Sequence, residues 1–462
     1  MERPSSRGGG TDPVPDARDR FQDGGCMKDI KVGLIGFGTV GAGTVKLLSG
    51  NAALIRQKLG TGLILKKIAD LDVVTDRGVT VPPGVLTADV NEVLDDPEIA
   101  VVIELIGGYE PARTFVLRAI AAGKHVVTAN KALLAVHGGE IFAAAAAAGV
   151  EVLFEPAVGG GIPVISAIRG NLAANRFSTV LGILNGTCNY ILTRMTEEGA
   201  EFAAVLKTAQ ELGYAEADPT FDVEGIDTAH KLCLLVSLCF GTRVKLEDVH
   251  TEGISSLSPV DISFAREFGY KIKLLAIGKQ NGESIEARVH PTMIPLSYPL
   301  ADVDGVFNAV RLAGDFVGPV MLYGRGAGMN PTASAVVGEV IDIARNILAG
   351  IGRRTAPLGY CDDAVVTLPL KPVGDIVSKY YLRFSAVDRP KVLARIAGVL
   401  GDFGISIESM IQTARSDRES VPIVIMTHEA READVRAALA HIDALEIITE
   451  RTNLIRIEDS LE

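Results

Sequence analysis

The residues with the greatest capacity for proton transfer are concentrated between positions 213 and 231. Asp227 and Lys231 are four residues apart, so on a helix their side chains share one face. The residues after Lys231 are mostly apolar, which predicts that this face is half buried. A half-buried lysine paired with carboxylates can donate or accept a proton, and Glu216 and Asp222 add acids to the same stretch. The alternative is an ordinary surface ion pair, which the density of acids and glycines disfavours.

A glycine-rich turn is the second candidate site. Gly36, Gly38 and Gly41 lie between a predicted strand and a predicted helix. In that setting the first glycine permits a tight turn, and the second lets the backbone approach a pyrophosphate. The third allows the helix to pack closely, and the N-terminus of the helix attracts the anion. The pattern therefore predicts dinucleotide binding, with an idle glycine turn as the alternative.

The residue that would contact the adenosine ribose is Asp70, at the end of the second predicted strand. An acid at this position accepts a hydrogen bond from the ribose 2′-hydroxyl and favours NAD. Arg77, Lys66 or Lys67 could instead meet the 2′-phosphate of NADP. A third interpretation is that all of these are solvated loop charges. The choice of cofactor stays open at this stage.

Lys131 follows Asn130 just beyond the end of a predicted strand. Ligands of open α/β sheets bind at the carboxyl ends of strands, and a lysine there can hydrogen-bond a substrate carbonyl or hydroxyl. By itself, however, this segment would more simply be a surface lysine at the start of a helix.

A segment that begins at Glu155 contains three consecutive glycines, residues 159–161. Glycines allow backbone carbonyls to converge, so with one carboxylate the turn could hold a hard cation through oxygen ligands. From the spacing alone, a plain hinge between two domains is the favoured interpretation.

The elements that must position these residues follow an α/β order. Strands alternate with helices up to Phe154, which predicts a doubly wound parallel sheet of Rossmann type. We predict a disordered tail over 1–28 and a dinucleotide-binding domain over 29–154, to which about 325–350 returns. An α+β domain follows over 155–324, then a linker over 353–377. The last block, 378–457, reads βαββαβ, the order of a ferredoxin-like unit.

Composition excludes several classes of function. The chain has 462 residues, with 45 basic against 57 acidic side chains and a net charge of −12. Such a chain is a poor electrostatic match for nucleic acid or an anionic membrane, and no apolar run is long enough to span a bilayer. The odd number of cysteines fits neither a disulfide framework nor a zinc site and indicates a reducing cytoplasm. They are Cys26, Cys188, Cys233, Cys239 and Cys361.

Taken together, these segments resemble the homoserine dehydrogenases that carry a C-terminal ACT domain. The resemblance covers about residues 28–455. It rests on the Gly36–Gly41 turn, Asn130-Lys131, Asn185-Gly-Thr-Cys-Asn-Tyr-Ile-Leu192, the stretch from Gly213 to Lys231, and Gly326-Ala-Gly-Met-Asn-Pro-Thr-Ala333. The segments at 185 and 213 are specific to that family, whereas the glycine-rich turn is common to many dehydrogenases.

The resemblance implies reversible, NAD(P)H-dependent reduction of L-aspartate 4-semialdehyde to L-homoserine, on the route to threonine, methionine and isoleucine. By matched position, Lys231 would be the acid–base residue and Lys131 would orient substrate and cofactor. Glu216, Asp222 and Asp227 would bind the substrate amino group or tune Lys231.

The resemblance also implies ligands beyond the substrate: NADP as the cofactor by family, with NAD not excluded, and a cation. Besides the three glycines, Asp70 and Lys131, the cofactor would be lined by Phe37, Thr39, Val40, Gly326 and Gly328. A sodium ion would be held by Glu155, Val158, Gly160 and Ile162. The 155–324 domain would serve catalysis and dimerisation in a homodimer or homotetramer, and the ACT domain would be the site of threonine feedback inhibition.

Two departures from the family pattern bear on these expectations. Leu71 stands where many members place an arginine that contacts the NADP phosphate. Lys391 replaces the glycine that normally approaches an amino-acid ligand in the ACT domain, so the domain could instead serve only as an oligomerisation platform. The main alternative is a sensor that binds dinucleotide and amino acid without turnover, and a second is another lysine-using Rossmann dehydrogenase.

Overall fold

The structure is a computed structural model that describes residues 28–412 and 420–459. The predicted tail therefore lies outside the described residues except for Lys28, and so does Cys26. Residues 413–419 of the predicted ferredoxin-like block also fall outside them.

The N-terminal unit is built on a six-stranded parallel sheet with the order β3-β2-β1-β4-β5-β6. The central strand is apolar on both faces, as a sheet covered on both sides requires. The elements are β1 (Ile30–Ile35), α1 (Thr39–Gly50), α2 (Ala52–Leu59), β2 (Leu63–Ala69), β3 (Leu86–Thr87), α3 (Asn91–Leu94), β4 (Ile99–Glu104), α4 (Ala112–Ala121), β5 (His125–Thr128), α5 (Lys131–Ala148) and β6 (Val152–Leu153).

The middle unit contributes five long strands in the order β12-β11-β7-β9-β10, with α7, α10 and α11 packed on them. Its elements are α6 (Val164–Arg169), β7 (Phe177–Ile183), α7 (Gly186–Glu198), α8 (Phe202–Glu211), α9 (Thr220–Val223), α10 (Ile226–Phe240), β8 (His250–Thr251), α11 (Pro259–Glu267), β9 (Tyr270–Asn281), β10 (Ser284–Pro295), β11 (Phe307–Gly314), β12 (Gly318–Arg325) and α12 (Met329–Leu348). Helix α12 packs back on α1, because Gly43 brings the two backbones close at Met329.

The C-terminal unit has the βαββαβ order of an ACT domain, with one short additional strand. Its elements are β13 (Val377–Val387), α13 (Val392–Asp402), β14 (Ile407–Gln412), β15 (Ser420–Thr427), β16 (Ala430–Arg431), α14 (Glu432–Asp443) and β17 (Ile448–Ile457). With the parallel Rossmann sheet and the mixed central sheet, it confirms the predicted fold class.

The central and C-terminal sheets are one continuous sheet. Strand β17 pairs in parallel with β10, at Thr292 with Arg456 and Met293 with Ile457. The resulting sheet has eleven strands, nine of them in one path, with β8 and β16 paired beside β10 and β13. The pattern of each strand is local, whereas this pairing joins segments far apart in the chain, so the sequence did not predict it.

The stretch predicted as a linker lies along the central unit. The Tyr360 hydroxyl donates to the Cys239 carbonyl at 3.0 Å, and the Leu368 amide donates to Thr242 Oγ1 at 2.9 Å. The Ile285 amide donates to the Pro369 carbonyl at 3.1 Å. These contacts fix the connection between the two units to the surface of the central unit.

Among the described helices, only α5 is long and apolar enough, by length and composition, to cross a bilayer. It packs against α4 and α10 and buries Leu133, Ile141 and Ala145. These contacts are typical of a core helix.

A buried charge cluster lies where the two sheets join. The Arg456 guanidinium contacts the carboxylates of Glu252, in the central unit, and Glu432, in the C-terminal unit. The Arg456 side chain is only 2% exposed. Arg436 contacts the same two carboxylates from the surface, with its side chain 42% exposed.

Replacing Arg456 by methionine is expected to lower the free energy of unfolding by about 3–5 kcal/mol, because Glu432 would remain as a buried charge without its main partner. The matched control is Arg436→Met, which should cost about 1 kcal/mol or less since the exposed pair is screened by solvent. Chemical denaturation followed by circular dichroism measures both. Equal losses for the two variants would contradict the structural role of Arg456.

Candidate functional site

A cleft of about 510 Å³ lies between the Rossmann sheet and the central unit. Its walls combine the start of α1, the end of β5, the beginnings of α7 and α10, and the turn before α12. The lining includes Val40, Lys131, Gly160, Asn185, Asp222, Asp227, Lys231, Asn308, Gly326 and Gly328.

Helix α10 presents the predicted acid–base pair. Its first residue follows Gly225, whose φ of +80° lets the chain turn sharply into the helix. One turn apart, Asp227 and Lys231 share a face: Lys231 Nζ donates to Asp227 Oδ2 at 2.6 Å. The same ammonium donates to the Leu184 carbonyl at 2.7 Å. An ammonium has three protons, so these two bonds leave one for a ligand in the cleft.

Asp227 serves two lysines at once. Its second oxygen, Oδ1, lies 3.2 Å from Lys131 Nζ, which reaches across from the first turn of α5. Asp227 is 4% exposed. Burial opposes its ionisation, but the charges of Lys231 and Lys131 outweigh burial and lower the pKa of Asp227 to about 2. The carboxylate is therefore ionised at neutral pH and holds both ammonium groups at the cleft.

Asn185 connects Asp227 to the next acid. Its Nδ2 donates to Asp222 Oδ1 at 2.7 Å and to Asp227 Oδ2 at 2.9 Å. Its Oδ1 accepts from the Cys188 amide at 2.8 Å and so caps α7. The cap fixes which way the amide faces, and both acids then receive the N–H donors. Asp222 is thereby brought into the cleft.

Glu216 is not brought to the same place. It is exposed and does not line the cleft, although its carbonyl accepts a hydrogen bond from Gln210 Nε2 at 3.0 Å. Its predicted contact with the substrate amino group stays a prediction.

The glycine-rich turn has the geometry of a nucleotide-binding loop. Gly36 has φ +100°, and a Cβ there would come within 2.9 Å of the Leu105 carbonyl. A Cβ on Gly41 would overlap the Gly36 carbonyl, so the helix packs directly on the turn. By contrast, a Cβ on Gly38 would meet nothing within 4 Å. That free space, with Thr39 and Val40 opening α1, leaves room for a pyrophosphate at the helix N-terminus.

The Asp70 carboxylate is hydrogen-bonded to this turn. The Phe37 amide donates to Asp70 Oδ2, and the Asp72 amide donates to Oδ1 at 2.8 Å. Each carboxylate oxygen has a second lone pair, so the group can still accept from a ligand. The hydrogen bond to Phe37 holds the carboxylate next to the predicted pyrophosphate site.

The three basic candidates for a 2′-phosphate are each paired with acids. Lys66 contacts Asp96 and Glu98, Lys67 contacts Glu92, and Arg77 Nη2 lies 2.8 Å from Asp72 Oδ2. Leu71 extends into solvent with 95% of its surface exposed. The net charge facing the ribose position is therefore set largely by Asp70.

The turn from 324 to 328 closes the cleft. Gly328 has φ +116°, which a residue with a side chain rarely adopts. A Cβ on Gly326 would overlap the amide of Asn308, and a Cβ on Gly160 would overlap the Gly326 carbonyl. The turn thus lies flush against both strand β11 and the 155–162 segment.

The segment from Glu155 to Ile162, predicted to hold a cation, does not offer its carboxylate as a ligand. Both Glu155 oxygens accept backbone amides at the start of α6, from Ile165 at 2.8 Å and Ser166 at 2.6 Å. Burial raises the pKa of Glu155, although these hydrogen bonds oppose the rise. Within the described parts of the chain there is no cluster of three or more His, Cys, Asp or Glu suited to a metal. Any cation here would be held by main-chain oxygens, the only oxygens that Val158, Gly160 and Ile162 possess.

Two site residues are not singled out by the sequence. Asn308 lies in β11, which the sequence pattern did not predict. Glu104, at the end of β4, accepts from Thr128 Oγ1 at 2.6 Å and from the Ile106 amide at 2.9 Å, and burial raises its pKa. These hydrogen bonds hold together the ends of β4 and β5 next to Lys131. In the sequence, the one feature that could have identified Glu104 was its position as a single acid at the end of an otherwise apolar strand.

Three family models match the chain. The model for the homoserine dehydrogenase NAD binding domain matches residues 36–155, and that for homoserine dehydrogenase matches residues 163–341. The ACT domain model matches residues 380–447. The three matches are in the order of the three structural units.

Similar proteins cover nearly the whole chain. A homoserine dehydrogenase of Pseudomonas aeruginosa is 48% identical over 94% of this chain and 99% of its own length. The crystal structure of the Thiobacillus denitrificans enzyme is 49% identical with a TM-score of 0.88, over 94% of this chain and 99% of that chain. A hyperthermophilic archaeal homoserine dehydrogenase in complex with NADPH is 24% identical with a TM-score of 0.58, over 68% and 98%.

Proposed function

Because the chain belongs to the homoserine dehydrogenase family, we propose that its cleft interconverts L-aspartate 4-semialdehyde and L-homoserine with a nicotinamide dinucleotide. The observation that carries this proposal is the sharing of Asp227 between Lys231 and Lys131 inside a cleft that Val40 of the glycine-rich turn also lines. The pathway assignment, to threonine, methionine and isoleucine biosynthesis in the cytoplasm, follows from that reaction.

Lys231 supplies the proton in the direction of aldehyde reduction. The bound dinucleotide supplies the hydride. As negative charge grows on the aldehyde oxygen, the third N–H of the Lys231 ammonium stabilises it and transfers the proton. The other two N–H groups donate hydrogen bonds to the Asp227 carboxylate and the Leu184 carbonyl, and these bonds orient the ammonium toward the cleft.

Lys131 and the two acids orient the substrate. Lys131 is held by Asp227 Oδ1 at the edge of the cleft, where its remaining protons can meet a substrate oxygen. Asp222 retains acceptor capacity beyond its bond from Asn185 and is suited to the substrate ammonium. In this arrangement Asp227 acts chiefly through the lysines that it positions.

We assign NAD rather than NADP as the preferred cofactor. The unfilled space at Gly38 fits a pyrophosphate, and the Asp70 carboxylate beside it suits a ribose 2′-hydroxyl. A 2′-phosphate would face that carboxylate, while Lys66, Lys67 and Arg77 are engaged by other acids. The relative in complex with NADPH is only 24% identical, so this choice rests on the residues of this chain.

The test of the reaction is a spectrophotometric assay of the purified protein with L-homoserine, supplied separately with NAD⁺ and NADP⁺. Reduction of either nucleotide that depends on homoserine supports the proposal. Binding of both nucleotides without reduction of either would favour the sensor interpretation. If the nucleotide is reduced with a different amino-acid alcohol but not with homoserine, the protein would instead be another lysine-using dehydrogenase.

We further propose that a sodium ion is held by main-chain oxygens of Glu155, Val158, Gly160 and Ile162. The left-handed φ of Gly159 and Gly160 lets successive carbonyls turn, and the loop lies against the Gly326 turn. A cation there would order the cofactor side of the cleft. Comparing cofactor affinity in sodium chloride with that in tetramethylammonium chloride tests this assignment.

We also propose that the ACT domain carries threonine feedback to a homo-oligomer, dimeric or tetrameric. Strand β17 pairs with β10 in one sheet, and Arg456 links both units, so a structural change in the ACT domain on ligand binding would be transmitted directly to the central unit. Light scattering measures the subunit number, and activity measured across threonine concentrations tests the feedback itself.

Lys391 sets how strongly threonine would bind. It has φ +76° and is the only non-glycine with positive φ among the described residues. Lys391→Gly removes a side chain from the backbone that would approach the ligand. We expect about a tenfold lower half-inhibitory threonine concentration, the effect of roughly 1.4 kcal/mol of relieved steric conflict. Unchanged inhibition in this variant would place the ligand elsewhere, and no inhibition in either protein would leave the domain a platform for assembly.

A further inference from the structure

A buried hydrogen-bond acceptor without a donor lies in the wall of the cleft. Asn308 is 1% exposed, and no residue within the described ranges donates to its Oδ1 atom. The side chain lines the same cleft as Lys131 and Lys231. Buried amide oxygens in folded proteins are nearly always hydrogen-bonded. The acceptor is thus expected to meet a donor that enters the cleft from outside the chain.

The position of this oxygen is fixed by the sheet. Asn308 lies in β11 opposite Gly324 of β12. The carbonyl of the preceding residue, Phe307, accepts from Asn189 Nδ2 at 3.0 Å, and Asn189 is itself buried. The backbone of Asn308 is thus held in the cleft wall, so only rotation of the side chain can change where its oxygen lies.

The neighbours of Asn308 indicate which ligand supplies the donor. The amide lies directly against the main chain of Gly326, in the turn assigned to the cofactor, since any Cβ at Gly326 would overlap it. The carboxylates suited to the substrate ammonium, Asp222 and Asp227, are instead joined through Asn185. The acceptor is thus associated with the nucleotide wall of the cleft.

We propose that Asn308 Oδ1 accepts a hydrogen bond from the carboxamide N–H of the nicotinamide ring. Asn308 is then a cofactor-binding residue that sets the rotation of the ring, and hence which ring face meets the substrate beside Lys231. Orientation of this kind contributes to rate because hydride transfer requires aligned reactants. The inference rests on the proposed function, since it needs a nicotinamide cofactor in the cleft.

The test compares NAD⁺ with 3-acetylpyridine adenine dinucleotide, in which an acetyl group keeps the carbonyl but lacks the N–H. Dissociation constants are measured by calorimetry for the wild type, Asn308→Leu and Asn308→Asp. The wild type is expected to bind the analogue about tenfold more weakly, the effect of one unmade buried hydrogen bond. Asn308→Leu should lose this difference, whereas Asn308→Asp should keep it because a carboxylate still accepts.

The control is Asn346→Leu, which removes another buried asparagine that donates to Glu151 Oε2 at 3.0 Å away from the cleft. It should keep the tenfold difference. Equal binding of both nucleotides by the wild type, or a difference that survives in Asn308→Leu, would overturn the inference. A rise confined to the KM for homoserine would assign the acceptor to the substrate ammonium and overturn it as well.

Failure of a variant to fold and failure of the wild type to bind nucleotide can both be distinguished from failure of this inference. If Asn308→Leu does not fold, as judged by its thermal melt, Asn308→Ala takes its place with the same expectation. If the wild type binds neither nucleotide, the proposed function itself fails, whereas nucleotide binding without discrimination contradicts only the role of Asn308.

Discussion

Replacing Lys231 by methionine is expected to lower kcat by about three orders of magnitude, within the range that a positioned general acid supplies. Methionine keeps the length of the side chain but removes the amine, so in homoserine oxidation no group accepts the hydroxyl proton. In the reverse reduction, no proton reaches the developing alkoxide and no charge stabilises it. Steady-state rates with homoserine and the preferred nucleotide measure the loss. Nucleotide binding should change by less than about threefold, because the glycine-rich turn does not contact Lys231.

The appropriate comparison is Lys245→Met, which removes an ammonium whose side chain is 76% exposed. It should leave kcat unchanged, and a thermal melt of both variants shows that each is folded. A Lys231→Met protein with kcat within fivefold of wild type would mean that another group donates the proton. Lys131→Met distinguishes the second lysine: we expect a mainly raised KM for homoserine, since Lys131 orients the substrate.

The second large effect concerns the cofactor. We expect kcat/KM for NAD⁺ to exceed that for NADP⁺ by roughly 30-fold or more. A doubly charged phosphate about 5 Å from the Asp70 carboxylate costs roughly 2 kcal/mol even in a water-like dielectric. NADP also lacks the 2′-hydroxyl that would donate to Asp70. The specificity constants for the two nucleotides, measured at one ionic strength, give the ratio.

Combining Asp70→Asn with Leu71→Arg should reverse this preference, changing the ratio by about 10²–10³. The first change removes the repulsive charge and keeps an oxygen for the Phe37 amide, and the second supplies a planar donor for phosphate. Asp76→Ala, which removes another acid from the same loop, should alter the ratio by less than threefold. A wild type that prefers NADP would refute the assignment and leave the dehydrogenase activity intact.

These two results would probe the two units that meet at the cleft. Lys231 and Asp227 line the cleft from α10 in the central unit. Asp70 belongs to the Rossmann unit and accepts from the Phe37 amide of the glycine-rich turn, whose Val40 lines the cleft. A protein that lost only turnover in one variant and only nucleotide preference in the other would show that the two units act separately. Coupled losses would indicate that the two units move together when the cleft is filled.

The local features of this protein could be predicted from its sequence alone. The spacing of Asp227 and Lys231 placed them on one helix face, because four residues make about one helical turn. The glycine-rich turn between strand and helix indicated a dinucleotide site, and alternating strands and helices indicated the parallel sheet. Each of these follows from residues that are close in the chain, where backbone geometry alone sets their relation.

The contacts between residues that are distant in the chain could not be predicted and became known from the three-dimensional fold. It brought Lys131 to Asp227, paired Lys66, Lys67 and Arg77 with acids, and turned the Glu155 carboxylate toward α6. It also left Asn308 Oδ1 without a donor among the described residues and paired β17 with β10. Such contacts depend on strand register and helix packing across the whole fold, which no local periodicity encodes. The chemistry available to each residue could therefore be predicted from the sequence, whereas the residues that contact it were set by packing.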